Sequence, residues 1–215
     1  MIAEAVENRD ISMLQIDEKV RRILKFKEKY IKLDFEESYQ DVKHIVENQE
    51  SKDFAYEIVK EAMTYVKGVP VNLNKKTLLV ASAPVSTTVA DEDDGRFSII
   101  NTVKRELPEI DTCLVSVKLD QNEIDKVVEK SKEYEQVVYC SYNANIFQNQ
   151  LELIRKLNAI TDLHVIAMRN PYDSLFVPEI RNLVLMYEYT PNAVKALIGY
   201  LKREVIPNGM APVRL

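Results

Sequence analysis

The chain has 215 residues, of which 46% are hydrophobic and 29% are charged, a mixture typical of a globular protein rather than a disordered or fibrous one. Its net charge of −5 provides no broad attraction for nucleic acid, whose binding depends on clustered Lys and Arg. No stretch approaches the roughly 18 uninterrupted apolar residues of a membrane span, so we expect neither nucleic acid nor a membrane as a partner.

The N-terminus, the cysteines and the histidines bear on location and cofactors. Residues 1–10 lack the basic start and apolar run of a signal peptide, which predicts a cytoplasmic chain, although a piece of a longer exported protein would lack the signal too. Cys113 and Cys140 lie in apolar runs, which predicts free thiols in the core. His44 and His164 are not spaced with Cys or carboxylates as metal ligands are, so we expect no metal and no cofactor.

The first 73 residues are predicted to form a helical segment without strands. Its three helices are predicted over residues 11–30, 35–47 and 51–66. The first is amphipathic, with Ser12 or Asp17 as its N-cap, and residues 68–73 lead into the first strand. These helices must pack on one another, on the following domain, or on something that the chain does not contain.

Residues 74–215 alternate between short apolar runs and amphipathic stretches. The runs cover residues 77–82, 112–117, 136–141, 163–168 and 183–187, and helices are predicted over 95–107, 122–133, 146–160 and 192–204. Thr190 and Pro191 have the residue types of an N-cap and a first helical position. Continuous apolarity indicates strands covered on both faces, and the alternation indicates right-handed crossovers. The predicted class is α/β, a three-layer sandwich with a mainly parallel five-stranded sheet, Rossmann-like or flavodoxin-like, with an N-terminal helical extension.

The loop after the first strand is long and lies where open parallel sheets bind ligands, outside the carboxyl ends of the strands. Ser86 and Thr87 could bind a phosphate, but a phosphate cradle needs glycines and a helix start without carboxylates. Asp91 and Asp94 would repel an anion and interact favourably with the helix dipole. We interpret this loop as a solvated acidic cap, with a cation site and a sugar or partner contact as the alternatives.

Two more loops at this edge carry candidate ligand or interdomain contacts, namely Asn143 after the third strand and Arg169, Asn170 and Tyr172 after the fourth. We favour a structural role for the second loop, in which a proline fixes the turn and Asp173 caps the short segment that follows. A reach towards another domain or a sugar is the alternative.

Two other functional classes lack the residues that they need. No Asp follows the third strand, where a response regulator would be phosphorylated, and no Lys follows the fifth. A flavin site needs aromatic rings and a glycine-bearing phosphate loop, but the chain has no tryptophan and four glycines. Both classes are therefore disfavoured.

Four segments, in this order along the chain, carry a family resemblance. They are Ile16-Asp-Glu-Lys-Val-Arg-Arg-Ile-Leu-Lys25, Ala55 to Lys67, Arg169-Asn-Pro-Tyr-Asp173, and Gly199 to Val213, which ends in Pro-Asn-Gly-Met-Ala-Pro-Val. They resemble, respectively, the last barrel helix, the linker helix, the loop after the fourth strand and the closing tail of bacterial β-N-acetylglucosaminidases of glycoside hydrolase family 3.

The resemblance implies the C-terminal accessory domain of a glycosidase. Residues 1–73 would be the end of its catalytic barrel plus linker helices, and residues 74–215 the α/β sandwich. The family's Asp nucleophile, His–Asp acid/base pair and Lys-His substrate motif would precede residue 1, so no catalytic residue is assigned and we expect no hydrolysis by this chain alone.

The implied partner is the catalytic barrel of the parent enzyme or a second copy of the chain, with carbohydrate as a further candidate ligand. An independent flavodoxin-like module that binds a small ligand or a protein partner is the alternative. An uncovered apolar face on the N-terminal helices would favour the accessory domain.

Overall fold

The chain divides into two contact units, Met1–Asn48 and Gln49–Leu215, in a computed structural model that describes residues 1–31, 39–46, 48–82 and 98–215. In its described residues the first unit consists of α1 (Ile2–Glu7), α2 (Met13–Tyr30) and α3 (Tyr39–Val46). None of the described helices is long and apolar enough to cross a bilayer.

Helix α2 begins with a capping box. The Ser12 hydroxyl accepts a hydrogen bond from Gln15 N at 3.2 Å, and the Gln15 side chain accepts one from Ser12 N at 2.9 Å. Two backbone groups that the helix leaves unpaired are thereby satisfied. Ser12, rather than Asp17, is therefore the N-cap, and the helix predicted over 11–30 is confirmed.

The second unit contains the sandwich. Its helices are α4 (Gln49–Ala62), α5 (Ile99–Glu106), α6 (Gln121–Ser131), α7 (Asn149–Ile160), α8 (Asp173–Phe176) and α9 (Pro191–Leu201). Its strands are β1 (Thr64–Lys67), β2 (Thr77–Ser82), β3 (Asp111–Val115), β4 (Gln136–Ser141), β5 (Asp162–Ala167) and β6 (Asn182–Leu185).

The strands of the described chain form one six-stranded sheet in the order β1-β6-β5-β4-β2-β3. β1 is antiparallel to β6, and the remaining neighbours are parallel. The five parallel strands have the order of flavodoxin-like folds. The predicted α/β sandwich with a mainly parallel sheet is confirmed.

Strand β1 corrects the expected strand count. A helix was predicted through Val66, but α4 ends at Ala62 and Thr64 pairs with Leu185 of β6. Thr64, Tyr65 and Val66 are β-branched or aromatic and favour a strand. Gly68, with φ 105°, then turns the chain away from the sheet.

Side chains of the strands alternate between two cores, which makes the three layers. One face, with α4, α5 and α9, contains Leu79, Ala81, Val138, Cys140 and Ile166. The other face, with α6 and α7, contains Leu78, Val80, Val137, Tyr139 and Val165. Burial on both faces explains why the strand sequences are continuously apolar.

The last helix and the segment after it are held by specific hydrogen bonds. Thr190 Oγ1 accepts from Ala193 N at 3.2 Å and Pro191 is the first helical residue, so the predicted start of α9 is confirmed. The helix ends at Leu201, earlier than the predicted Glu204. Further on, Gly209 N donates to Met63 O at 2.9 Å and ties the tail to the start of β1.

The two cysteines differ in burial because their strands differ in position. Both are free thiols. Cys140 is buried in the central strand β4, as predicted, and burial raises the pKa of its thiol to about 12. Cys113 is only half-buried because β3 is an edge strand.

Candidate functional site

The strand order reverses between β2 and β4, which is where open α/β sheets bind ligands. From β2 the chain crosses to β3 on one side, and it then returns to β4 on the other side of β2. The described loops at this edge are residues 116–120, 142–148, 168–172 and 186–190.

The side chain of Gln150, on the first turn of α7, joins the strand ends at this point. Gln150 Oε1 accepts hydrogen bonds from the hydroxyls of Ser82 at 3.1 Å and Tyr139 at 3.0 Å. It also accepts from Tyr142 N at 2.9 Å. Gln150 Nε2 donates to Val117 O at 3.1 Å and to Tyr142 O at 2.9 Å. Both amide hydrogens are used, so this buried amide is fully satisfied.

A second polar cluster lies where β4 and β5 end. Ser141 Oγ donates to Asp173 Oδ2 at 2.5 Å, and Asn170 Nδ2 donates to Asn145 Oδ1 at 3.2 Å. These bonds join the loop after β4 to the turn after β5. Asn143, in the first of these loops, is buried and has φ 51°, a left-handed conformation that Asn adopts more readily than most residues.

Asp173 is a buried acid in this cluster. The residue is 1% exposed, and burial raises the pKa of its carboxyl group to about 6, although the hydrogen bond from Ser141 lowers that pKa. Among the described residues its second oxygen, Oδ1, has no hydrogen-bond partner. The predicted capping role is wrong, because α8 begins at Asp173 itself and its start has no side-chain cap. The carboxylate faces Ser141 because β4 and β5 are neighbours.

Four of the predicted contact residues lie in described loops and share one edge of the sheet. Arg169, Asn170 and Tyr172 are half-buried, whereas Asn143 is buried. The Asn145–Asn170 bond brings their loops together, and their role as contacts stays a prediction. Ser86, Thr87, Asp91 and Asp94 lie outside the described residues.

Gln150 is the member of this site that the sequence analysis missed. It shares one helical stripe with Leu153, Ile154 and Leu157, at intervals of three, four and seven residues. A polar residue on an apolar stripe signals a buried side chain that needs partners. Those partners, Ser82 and Val117 among them, lie far away in sequence.

Larger enzymes contain this fold. A glycoside hydrolase family 3 β-N-acetylglucosaminidase from Paenibacillus sp. str. FPU-7 matches with a TM-score of 0.72 and 24% identity, over 96% of this chain and 40% of that one. A fungal multi-domain enzyme of the same kind matches with a TM-score of 0.70 and 17% identity, over 100% of this chain and 25% of that one. Beta-glucoside phosphorylase BglX matches with a TM-score of 0.63 and 18% identity, over 99% and 40%. No protein-family model and no curated protein matches the sequence.

This chain has the fold of part of a family 3 glycoside hydrolase. It spans 25% to 40% of the length of these three proteins. The match extends over nearly all of this chain, as the family resemblance of its four segments predicts.

Polar side chains lie on the described loops at the carboxyl edge of the sheet. Most glycoside hydrolases place two carboxyl groups on either side of the scissile bond. Asp173 is the one buried carboxylate of the described chain, and its hydrogen-bond partner is the hydroxyl of Ser141 rather than a second carboxyl group. Nor are three His, Cys, Asp or Glu side chains grouped for metal binding anywhere in those residues.

Proposed function

We propose that this chain is the C-terminal accessory domain of a family 3 glycoside hydrolase of the β-N-acetylglucosaminidase type, and that it supports a catalytic barrel. One observation carries the proposal: the fold match covers 96% of this chain but 40% of the Paenibacillus enzyme. Residues 1–73 are proposed to be the end of the barrel plus linker helices, with the exception of β1, which belongs to the sheet. Residues 74–215 are proposed to be the rest of the accessory sandwich.

Helix α2 offers a surface for such a partner. No residue of α2 is buried in the described chain, and Ile23, Leu24 and Phe26 are 53%, 58% and 62% exposed. Val20, Ile23 and Leu24 lie three and four residues apart and therefore share one face of the helix. A contiguous exposed apolar face of this kind is typical of an interface. The proposed occupant is the catalytic barrel, and a second copy of the chain is the alternative.

The carboxyl edge of the sheet is proposed to contribute contacts of its own. Asn143, Arg169, Asn170 and Tyr172 offer amide, guanidinium and phenol groups on two loops that hydrogen bonds hold together. Rigid polar loops suit recognition because little conformational freedom is lost on binding. We propose that they contact the barrel or a carbohydrate bound to it.

Hydrolysis is proposed to require the barrel. The full chain should therefore leave 4-nitrophenyl N-acetyl-β-D-glucosaminide unhydrolysed at every pH tested. Turnover that disappears when Asp173 is replaced by Asn would contradict the proposal, because a residue of this chain would then take part in the reaction.

The proposed interface can be tested on the chain itself. The double variant Ile23→Glu/Leu24→Glu places two charges on the apolar face of α2, and Arg22→Glu/Lys25→Glu places two on its polar face as a matched control. Solution mass and binding of an environment-sensitive apolar dye are measured for both variants and the parent chain.

We expect the parent chain to self-associate or bind the dye, the apolar-face variant to lose this behaviour, and the control to keep it. A dimer that the apolar-face variant dissociates would favour a second copy as occupant. A monomer that binds no dye, and that neither variant changes, would refute the proposed interface and favour an independent module.

A further inference from the structure

A groove of about 460 Å³ lies in the second unit between β1, the end of α9 and the segment after it. Its described lining includes Tyr65, Tyr200, Val205 and Ile206, two prolines, and Arg203 as its one charged residue. Ligand pockets for small molecules typically occupy about 300–1,000 Å³ and have mostly apolar walls with a few polar groups. None of the residues in the carboxyl-edge clusters lines this groove.

Arg203 and Tyr200 line the same groove and lie three residues apart at the end of α9. Val71 O accepts a hydrogen bond from Arg203 Nη2 at 3.3 Å, which holds the guanidinium in place. A phenol can donate its hydrogen, and a guanidinium has five donors, four of which this bond leaves available. The pair therefore presents a cation and a hydroxyl donor together at an apolar groove.

The backbone of Arg203 makes an arginine at this position unusual. Arg203 follows Lys202, the C-cap of α9, and has φ 63°. Glycine is the residue that most often takes this left-handed position after a helix, because a side chain there is strained. The helix end is closed by Glu204 N and Val205 N, which donate to Gly199 O at 2.8 and 3.0 Å, so it does not need the arginine side chain.

We propose that this groove binds a small organic acid, with its carboxylate on Arg203 and Tyr200 and its apolar or aromatic body against Tyr65, Val205 and Ile206. The charge complementarity supports an anion, because the described lining contains a guanidinium and no carboxylate. A neutral sugar fits less well, since it needs more hydrogen-bonding groups than one guanidinium and two phenols supply. This proposal goes beyond the support of a barrel and does not depend on it.

Calorimetric titration of the full chain with 2-naphthoate, and with neutral 2-naphthamide as the matched ligand, tests the proposal. We expect one saturable site that prefers the carboxylate by about tenfold or more, the usual strength of a charge-assisted contact. Arg203→Gly should remove this preference and leave the affinity for the amide unchanged. Far-UV circular dichroism checks that this variant is folded, because glycine relieves the left-handed backbone while the hydrogen bond to Val71 O is lost.

Arg9→Gly is the matched control. Arg9 also has φ 63° and carries the same charge, but it does not line the groove. This variant should keep the affinity for 2-naphthoate. Tyr200→Phe, which removes only the hydroxyl, should lower that affinity by about threefold or more and provides a second variant that does not alter the helix end.

The site of binding is checked by NMR shifts of the Val205 and Ile206 methyl groups during the titration. The proposal is overturned if the acid and the amide bind equally, if Arg203→Gly keeps the preference, if Arg9→Gly loses it, or if the shifts are confined to α2. The absence of saturable binding to either ligand would also overturn it.

Discussion

Replacing Asp173 by Asn should change the pH dependence of stability in a defined direction. The buried carboxyl group has a pKa of about 6, above its ordinary value of 3.8. The folded state therefore holds this proton more tightly than the unfolded state, so the protein loses stability as the pH rises through this window. Asn is neutral throughout, and its side-chain oxygen can still accept the hydrogen bond from Ser141.

The size of the effect follows from the two pKa values. Between pH 5 and pH 8, a group with these values lowers the free energy of unfolding of the parent chain by about 1.4 kcal/mol, and by about 3 kcal/mol over the full window. The stability of Asp173→Asn relative to the parent chain should rise by the same amount. Burial lowers the pKa of His164, so this residue makes stability rise with pH rather than fall. His164 is present in both proteins, and its contribution cancels in the difference.

Urea unfolding followed by far-UV circular dichroism at pH 5, 6, 7 and 8 measures this difference. Ser141→Ala provides the control, since loss of its hydrogen bond should raise the pKa of Asp173 further and steepen the pH dependence. Parallel stability curves for the parent chain and Asp173→Asn between pH 5 and pH 8 would refute the reasoning, whatever their separation, because only a titrating Asp173 makes them diverge.

Three further substitutions test other elements of the fold. Gln150→Leu should destabilise the fold by about 3 kcal/mol or more, because it leaves several buried partners unpaired, whereas the exposed Gln148→Leu should lie within about 0.5 kcal/mol of the parent chain in urea unfolding. Gly68→Ala should cost more than about 1 kcal/mol in the same assay, since Gly68 has φ 105° and an added Cβ would lie 2.3 Å from Asn182 Oδ1; an unchanged midpoint would contradict the tight turn. Ser12→Ala should lower the stability of α2 by about 1 kcal/mol, seen as faster amide exchange in its first turn, and unchanged exchange would contradict the capping box.

The sequence predicts the strands of the sandwich well because burial on both faces leaves a strong local signal. β2 and β4 begin and end at the predicted residues, since continuous apolar runs between polar ends allow few other placements. β1 was missed because it has four residues, follows directly after a helix, and is paired through contacts with β6 more than a hundred residues away. Local periodicity contains no information about such a partner.

The candidate site was predictable in place but not in detail. The strand order predicts that the loops after β4 and β5 share an edge, and the structure joins Asn145 to Asn170 there. The partners of Gln150 and Asp173 could not be predicted, because each depends on the register between strands. Asp173 has a residue type that commonly caps a helix, yet the neighbouring strand places Ser141 against it.

Gln150 bridges the ends of β2 and β4, where the strand order reverses. We therefore expect ligands to bind on external surfaces rather than in the crevice between these strand ends. A ligand that entered between the ends of β2 and β4 would have to replace the five hydrogen bonds of one buried amide. Each buried group left unpaired costs about 1–3 kcal/mol, so an entering ligand would lose much of its binding free energy in restoring what it displaced. The exposed face of α2 and the Arg203 groove require no such exchange, because their apolar side chains gain free energy directly when water is removed. We therefore expect substitutions on those two surfaces to change binding without unfolding the sandwich, and substitutions in the Gln150 network to unfold it before they change binding.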